Sequence, residues 1–226
     1  MMYWVIFIGT ACLSWLVQWN LKRKFKKYSQ VLGLNGLTGE QIAREMLKDN
    51  GISDVSVIST AGQLTDHYDP SKKTVNLSEP IFANNSVMAE AVAAHECGHA
   101  IQHAVAYGPL KMRTSLVPVV SFASKWMQWV LLAGMIILSD TGNVIVLEIG
   151  IALFALTTLF AFITLPVEVD ASRRAVQYLE NKGYINGETD AAVKDALHAA
   201  AYTYVAAAIS SLGTLLYYII MLNRRR

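Results

Sequence analysis

Charged residues and cysteines are both scarce in this 226-residue chain. Asp, Glu, Lys and Arg make up 16% of it, against 54% hydrophobic residues, whereas a soluble domain usually carries about 25% charged residues. The composition therefore excludes an ordinary soluble globular protein. The formal net charge is only +2, and no basic stripe with interleaved aromatic residues is present, so we expect no nucleic acid partner.

The chain has only two cysteines, which excludes a disulfide framework. Cys12 lies in a long hydrophobic run and Cys97 in a predicted helix, so we do not expect them to pair. Cys97 is two residues from each of two histidines and therefore points to another face of the helix than they do. A packed core thiol is favoured over a metal ligand at this position.

Long hydrophobic runs, by contrast, are plentiful. About 20 apolar residues suffice to cross a bilayer as a helix. The chain contains four runs of about this length, at residues 3–21, 117–138, 143–166 and 200–222. We therefore predict a mainly α membrane protein with about four transmembrane helices, in contact with the lipid bilayer as a multi-pass protein of the cell membrane.

A basic cluster follows the first run directly and predicts the orientation of the chain. It consists of Lys22, Arg23, Lys24, Lys26 and Lys27. Because basic residues concentrate on the cytoplasmic side, the N-terminus is expected outside and the following segment in the cytoplasm. The arginines at 224–226 oppose this assignment, but the basic residues of the other polar segments favour it.

The segment between the first two runs is predicted to form short helices and strands. Thr38 is a plausible N-cap, with Gln41 in the capping-box position. The strand at 74–78 is either an edge strand for pairing with an extended substrate or an ordinary structural strand, and the sequence favours neither. The predicted elements are a flexible connector at 31–36, a helix at 37–48, strands at 54–59 and 74–78, and a hairpin-like connection between them at 66–73.

The sequence His95-Glu96-Cys97-Gly98-His99 is the main indication of function. On a helix, residues four apart lie on one face, so His95 and His99 can reach one metal ion. Glu96 is then placed to take a proton from water without being a ligand. Ser86 is a plausible start for this helix, which is too polar to be a transmembrane segment. The motif predicts a catalytic zinc site.

Two histidines leave a catalytic zinc one protein ligand short. Glu168 and Asp170 lie at the end of the third hydrophobic run, and two runs separate His99 from them. An even number of crossings returns the chain to the side of the membrane that it left. Both carboxylates are therefore expected on the same side of the membrane as His95 and His99, and the crossings do not choose between them. The other candidates considered are His103, His67, His198 and Glu90.

The motifs together resemble the YugP-type neutral zinc metallopeptidases of bacterial membranes. The resemblance rests on HECGHAIQHA at residues 95–104 and LPVEVDASRRA at 165–175, and it covers nearly the whole chain. More remotely, the layout is similar to the HtpX-type membrane gluzincins, whose third ligand lies in a Glu-x-x-x-Asp pattern after a pair of spans. The resemblance implies His95, His99 and Glu168 as zinc ligands and Glu96 as general base.

This chain departs from the remoter pattern at Ser172, where that pattern has an aspartate. Asp170 is therefore the alternative, either as ligand or as a carboxylate beside the metal. His103, one helical turn beyond His99, is expected beside the metal or at the edge of the cleft. A transition state with a developing oxyanion also needs a hydrogen-bond donor. The sequence does not choose among four candidates, namely His67, Tyr68, Arg173 and His198.

These observations predict one membrane-embedded domain over residues 1–226. A small α+β zincin-like catalytic lobe, built from 31–112 and 167–199, is expected in the cytoplasm. The predicted function is a membrane-integral zinc endopeptidase with one Zn²⁺ per chain and with protein or peptide substrates that are membrane-associated. The alternative is a catalytically idle zinc-binding membrane scaffold or adaptor. The sequence makes no prediction about the oligomeric state.

Overall fold

The computed structural model describes residues 2–224, with side chains from residue 4. Helices predominate, and the strands are short. The elements are α1 (Met2–Tyr28), α2 (Gly39–Asp49), β1 (Ser56–Thr60), β2 (His67–Asp69), β3 (Thr74–Ser78), α3 (Glu79–Phe82), α4 (Val87–Ala104), α5 (Gly108–Thr141), α6 (Ile145–Asn181) and α7 (Gly187–Asn223).

Four helices of the described chain are long and apolar enough to cross a membrane, as the hydrophobic runs predicted. They are α1, α5, α6 and α7. Each helix extends beyond its hydrophobic run into the polar residues that flank it. In α6 the helix continues past Pro166 to Asn181 and so includes Glu168.

The chain forms two compact units, each with its own core. The first contains described residues up to 16, then 112–165 and from 203 onward. Its core is built from Leu131, Leu147, Ile151 and Leu222. A Cβ atom at Gly134 would lie 2.6 Å from the backbone of Leu147. The glycine therefore permits a close approach of α5 to α6.

The second unit contains residues 17–111 and 166–202. Within it, α2 packs on α4 through the predicted apolar face of α2, whose members Ile42, Ala43, Met46 and Leu47 are all buried. The predicted start of α2 is also confirmed. The Thr38 hydroxyl accepts a hydrogen bond from the Gln41 backbone, and the Gln41 side chain accepts one from the Thr38 backbone.

The three-stranded sheet of this unit corrects the predicted hairpin. The strand order is β1-β3-β2. β1 pairs with β3 in parallel, and the hairpin instead joins β3 to β2. Sequence reasoning missed β2 because three polar or aromatic residues show no alternation of hydrophobicity. β3 lies between two strands, so the alternative in which it is an edge strand available to substrate was wrong.

The connector at 31–36 is held in place by hydrogen bonds and is not a free linker. Gly33 donates its backbone N–H to Asn85 O at 2.8 Å, and Val87 donates to Val31 O at 2.8 Å. A Cβ atom at Gly33 would lie 2.0 Å from Oε1 of Glu90. Glycine at position 33 therefore allows the connector to pack closely against α4. The neighbouring residues in the sequence do not indicate this contact.

Candidate metal centre

Helix α4 presents His95 and His99 side by side. The helix begins after Ser86, whose hydroxyl accepts a hydrogen bond from the backbone N–H of Ala89, as predicted. The rings of His95 and His99 lie one helical turn apart, with centroids separated by 4.8 Å and planes at 84°. This is the arrangement that the four-residue spacing predicts on a helix.

Gly98, between these histidines, lets α6 approach α4 at backbone distance. A Cβ atom at Gly98 would lie 2.7 Å from the backbone oxygen of Ala171. The absence of a side chain at Gly98 therefore allows the α6 segment that carries Glu168 to pack directly beside the two imidazoles. Glycine at this position is needed for packing, since its helical backbone needs no unusual dihedral angle.

One carboxylate oxygen of Glu168 lies between the two imidazoles. Glu168 Oε2 is 3.3 Å from His95 Nε2 and 3.6 Å from His99 Nε2. Glu168 and His99 are buried, with 3% and 9% of their surface exposed. The ligand atoms of the three residues all lie within 4.8 Å of one another, and within the described residues no other group of three or more His, Cys, Asp or Glu side chains meets this criterion.

The chemistry of these donors fits a zinc ion. Two neutral imidazole nitrogens and one carboxylate oxygen form one of the usual three-ligand sets of catalytic zinc, in which a fourth position stays open. A structural zinc site normally has four ligands, often including cysteine sulfur. The donor set formed by His95, His99 and Glu168 fits the three-ligand arrangement.

Glu96 lies next to this cluster in an environment that favours its protonated form. Only 8% of the residue is exposed. Burial raises the pKa of Glu96, while the charges of His95 and His99 act in the opposite direction. A carboxyl group with a raised pKa is a better proton acceptor than an ordinary one, as a general base at neutral pH requires.

Gln102 fixes the orientation of His99. Its amide nitrogen donates to Val167 O at 2.8 Å and to Asp170 Oδ2 at 2.9 Å. Both amide hydrogens are thereby used, so the amide oxygen faces His99 Nδ1, at 3.1 Å. Nδ1 then donates a hydrogen bond to this oxygen, and Nε2, which lies on the side of Glu168, is the nitrogen left to bind a metal ion. The sequence did not reveal this role.

Ser172 makes the corresponding contact to the other imidazole. Its hydroxyl oxygen lies 3.1 Å from His95 Nδ1. Ser172 occupies the position at which the remoter gluzincin pattern has an aspartate. A hydroxyl oxygen can accept a hydrogen bond from Nδ1–H as a carboxylate does, but without a negative charge.

Asp170 is engaged by three other side chains and lies outside the three-residue group. It accepts a hydrogen bond from Gln102, forms an ion pair with Arg174 at 2.6 Å and forms a second ion pair with Arg173. The residue is 4% exposed. Its oxygens therefore neutralise two arginines and anchor Gln102, and the structure brings Glu168 to the histidines instead.

His103 and Tyr68 contact each other at a small cavity beside α4. The Tyr68 hydroxyl lies 3.0 Å from His103 Nδ1, and burial raises the Tyr68 pKa. The cavity measures about 200 Å³ and is lined by Ile52, Asp54, Val55, Tyr68, Lys73, Ala100, His103 and Ala104. His103 is one turn beyond His99 on α4 but is not in the group of possible metal ligands.

The remaining predicted residues lie outside the group as well. His67 is exposed on β2, and its Nδ1 lies 2.8 Å from Thr65 O. Arg173 is engaged by Asp170. His198 is exposed on α7. None of these three residues is placed among the ligand atoms.

Comparison with known proteins is consistent with this geometry. The sequence model of a family described as "Putative neutral zinc metallopeptidase" matches residues 3–223. The chain is 43% identical over 226 residues to the "Putative membrane protease YugP" of Bacillus subtilis (strain 168), an alignment that covers 100% of this chain and 99% of that protein. No solved structure matches.

Proposed function

We propose that this chain, which belongs to the "Putative neutral zinc metallopeptidase" family, is a membrane-integral zinc-dependent endopeptidase. The observation that carries the proposal is the convergence of His95, His99 and Glu168 beside a buried Glu96. A three-ligand donor set with an adjacent general base is the requirement for hydrolysis at a metal site.

In this proposal His95, His99 and Glu168 hold one zinc ion. When bound, zinc supplies a Lewis acid that acidifies water and polarises the carbonyl oxygen of a peptide bond. The protein residues orient the site. Gln102 and Ser172 hold the two imidazoles with their Nδ1 atoms protonated, so that both Nε2 atoms remain available as ligands.

Glu96 carries out the proton transfers. It takes a proton from the attacking water as the new carbon–oxygen bond forms, and it delivers this proton to the leaving nitrogen as the peptide bond breaks. The buried environment supports this cycle, because a raised pKa lets the same carboxyl group both accept and return the proton.

Tyr68 is our candidate for the donor that stabilises the developing oxyanion. Its hydroxyl contacts His103, one helical turn beyond His99, so the side chain lies against the helix that carries the histidines. His67, Arg173 and His198 are less suited. His67 is exposed, Arg173 is bound to Asp170, and His198 is exposed on α7.

The four apolar helices support a membrane protein. We propose protein or peptide substrates that are membrane-associated. The catalytic lobe, of α+β zincin type and built from residues 31–112 and 167–199, would lie in the cytoplasm, with the N-terminus outside. A reporter enzyme that is active on only one side of the membrane is fused to either terminus to test this orientation. The reporter is active in one orientation of the chain and inactive in the other.

The activity itself is tested with detergent-purified protein, zinc and unfolded casein, beside a Glu96→Gln variant. We expect cleavage by the parent and a loss of about 10²- to 10⁴-fold in the variant, the usual contribution of a general base. Zinc content is measured in both proteins, since Glu96 is not a ligand and the variant should retain one zinc per chain.

The same experiment addresses the alternative of a catalytically idle scaffold. A parent protein that holds one zinc but cleaves neither casein nor unfolded membrane proteins would support the scaffold. Equal cleavage by the parent and by Glu96→Gln would contradict the proposed role of Glu96 and point to a contaminating protease.

A further inference from the structure

The end of α1 forms one wall of a large cavity that the zinc chemistry does not use. The cavity measures about 720 Å³ and lies within the second unit. We call it the collar cavity. It is lined by Lys22, Phe25, Lys26, Ser29, Gln30, Gln63, Leu64 and Pro80.

Two cations of the collar cavity are without partners. Lys22 and Lys26 lie one helical turn apart on α1 and are exposed. Within residues 4–224 neither makes an ion pair or a side-chain hydrogen bond. The other cations of the basic cluster are engaged: Lys24 pairs with Asp195, Arg23 bonds to Asn20, and Lys27 lies over the ring of Tyr28.

The walls of the cavity combine polar and apolar groups. The hydroxyl oxygen of Ser29 is buried and, within the described residues, has no hydrogen-bond partner. Buried polar atoms are normally satisfied, so this hydroxyl gains a partner when its side chain rotates toward a polar group bound in the cavity. Phe25, which is 8% exposed, contributes an apolar wall together with Leu64 and Pro80. This mixture suits a ligand with an anionic head and an apolar remainder.

The position of the cavity along the chain identifies that ligand. The hydrophobic run of α1 ends at residue 21, and Lys22 and Lys26 follow directly in the same helix. Basic residues immediately beyond a transmembrane segment lie at the depth of the lipid head groups, and basic pockets there bind anionic lipids.

We propose that the collar cavity binds the phosphate of an anionic phospholipid head group. Lys22 and Lys26 neutralise the phosphate, the Ser29 hydroxyl donates a hydrogen bond to it, and the wall around Phe25 contacts the glycerol and the first carbons of the acyl chains. This site is independent of the metal centre, so its failure or success leaves the proposed peptidase activity untouched.

The test uses the full chain in a neutral detergent and isothermal titration with three probes. These are short-chain phosphatidylglycerol, short-chain phosphatidylcholine and inorganic phosphate. We expect phosphatidylglycerol to bind more tightly than phosphatidylcholine. A Lys22→Gln/Lys26→Gln variant should weaken phosphatidylglycerol binding about 25-fold, since each juxtamembrane lysine contributes about fivefold.

A matched control separates the cavity from net charge. Lys48 and Lys72 are exposed and do not line the collar cavity, so Lys48→Gln/Lys72→Gln removes the same charge and should change binding less than about threefold. Ser29→Ala is a second variant that leaves the charge intact, and we expect it to weaken binding severalfold. Melting temperatures of all variants verify that they are folded.

Two results would overturn the proposal. One is equal binding of phosphatidylglycerol and phosphatidylcholine, and the other is a loss of affinity that is the same in the control pair as in Lys22→Gln/Lys26→Gln. If inorganic phosphate binds as tightly as phosphatidylglycerol, the lipid source is refuted and the cavity is a site for free phosphate.

Discussion

Gln102→Met is the substitution that tests most directly how the metal centre is built. Methionine has nearly the volume of glutamine but neither donates nor accepts strong hydrogen bonds. The substitution removes the contact to His99 Nδ1 and the two hydrogen bonds from the amide nitrogen to Val167 O and Asp170. Gln102 is fully buried, so water does not replace these partners.

The size of the effect on zinc binding follows from the loss at His99, whose Nδ1 loses its hydrogen bond to Gln102. Asp170 keeps both of its arginines, so the main loss falls on the Nδ1 proton of His99. Leaving a buried donor unpaired costs about 1–3 kcal/mol, which corresponds to a change of about 5- to 150-fold in an equilibrium constant. Direct losses of hydrogen bonds to metal ligands weaken metal affinity by about 10- to 100-fold. We therefore expect zinc affinity to fall about 10- to 100-fold in Gln102→Met.

The assay is competition for zinc against a chromophoric chelator, with the melting temperature of the metal-free protein measured in parallel. Gln177, which is exposed on α6, offers the matched control Gln177→Met, and its zinc affinity should equal that of the parent. A Gln102→Met variant that binds zinc within threefold of the parent, while its melting temperature falls, would refute the orienting role and leave only a packing role. A parent that binds no zinc would instead refute the metal centre itself.

Two further predictions concern packing and ionisation. Gly98→Ala should lower the melting temperature and the zinc content, because a Cβ atom would lie 2.7 Å from Ala171 O. The control is Gly213→Ala, at a helical glycine where a Cβ atom would meet no other atom within 4 Å. This control should be neutral or should stabilise the protein by up to about 1 kcal/mol. Glu90→Gln should be more stable than the parent at pH 8 by up to about 3 kcal/mol, with the advantage shrinking toward pH 5. Burial raises the pKa of Glu90 from 4.5 to about 7, against the opposing effect of the Asn35 side chain. The folded state therefore holds the proton of Glu90 more tightly than the unfolded state does. The stabilisation from this proton is complete below pH 4.5 and is lost as the pH rises through about 7.

Thermal unfolding in detergent checks both predictions. A Gly98→Ala variant as stable as Gly213→Ala would mean that α4 and α6 tolerate a wider separation than the contact at Ala171 implies. Parallel pH profiles for Glu90→Gln and the parent would mean that Glu90 is ionised in the folded protein at no cost.

Local patterns in the sequence predicted the parts of the fold that depend on neighbouring residues. The four-residue spacing of His95 and His99 requires only helical geometry, and the Thr38 capping box involves residues three apart. The four long apolar helices follow from composition alone. Glu168 was placed near the histidines by counting membrane crossings, and the structure brings the three side chains together.

Features that depend on distant residues were not predictable in the same way. The hydrogen bonds of Gln102 join it to Val167 and Asp170, which are 65 and 68 residues away. β1 pairs with β3 in parallel because the hairpin is formed by β2 and β3. With three residues, β2 is too short to show the alternation of hydrophobicity that predicts a strand. The sequence around Gly33 predicts a flexible connector, because the neighbour in space that requires a glycine, Glu90, is far away in the sequence.

The absence of sulfur from the ligand group determines how the centre responds to oxidation. Its donor atoms are imidazole nitrogens and a carboxylate oxygen, whereas thiolate ligands lose their metal when peroxide converts them to sulfenic acid or a disulfide. Cys97, the cysteine nearest in sequence, is fully buried, directs its thiol to Ala43 O at 3.5 Å, and has its pKa raised by burial. A protonated, inaccessible thiol reacts slowly with oxidants and alkylating agents. Peroxide and iodoacetamide should therefore leave the metal centre intact, which sets it apart from metal sites that serve as redox sensors.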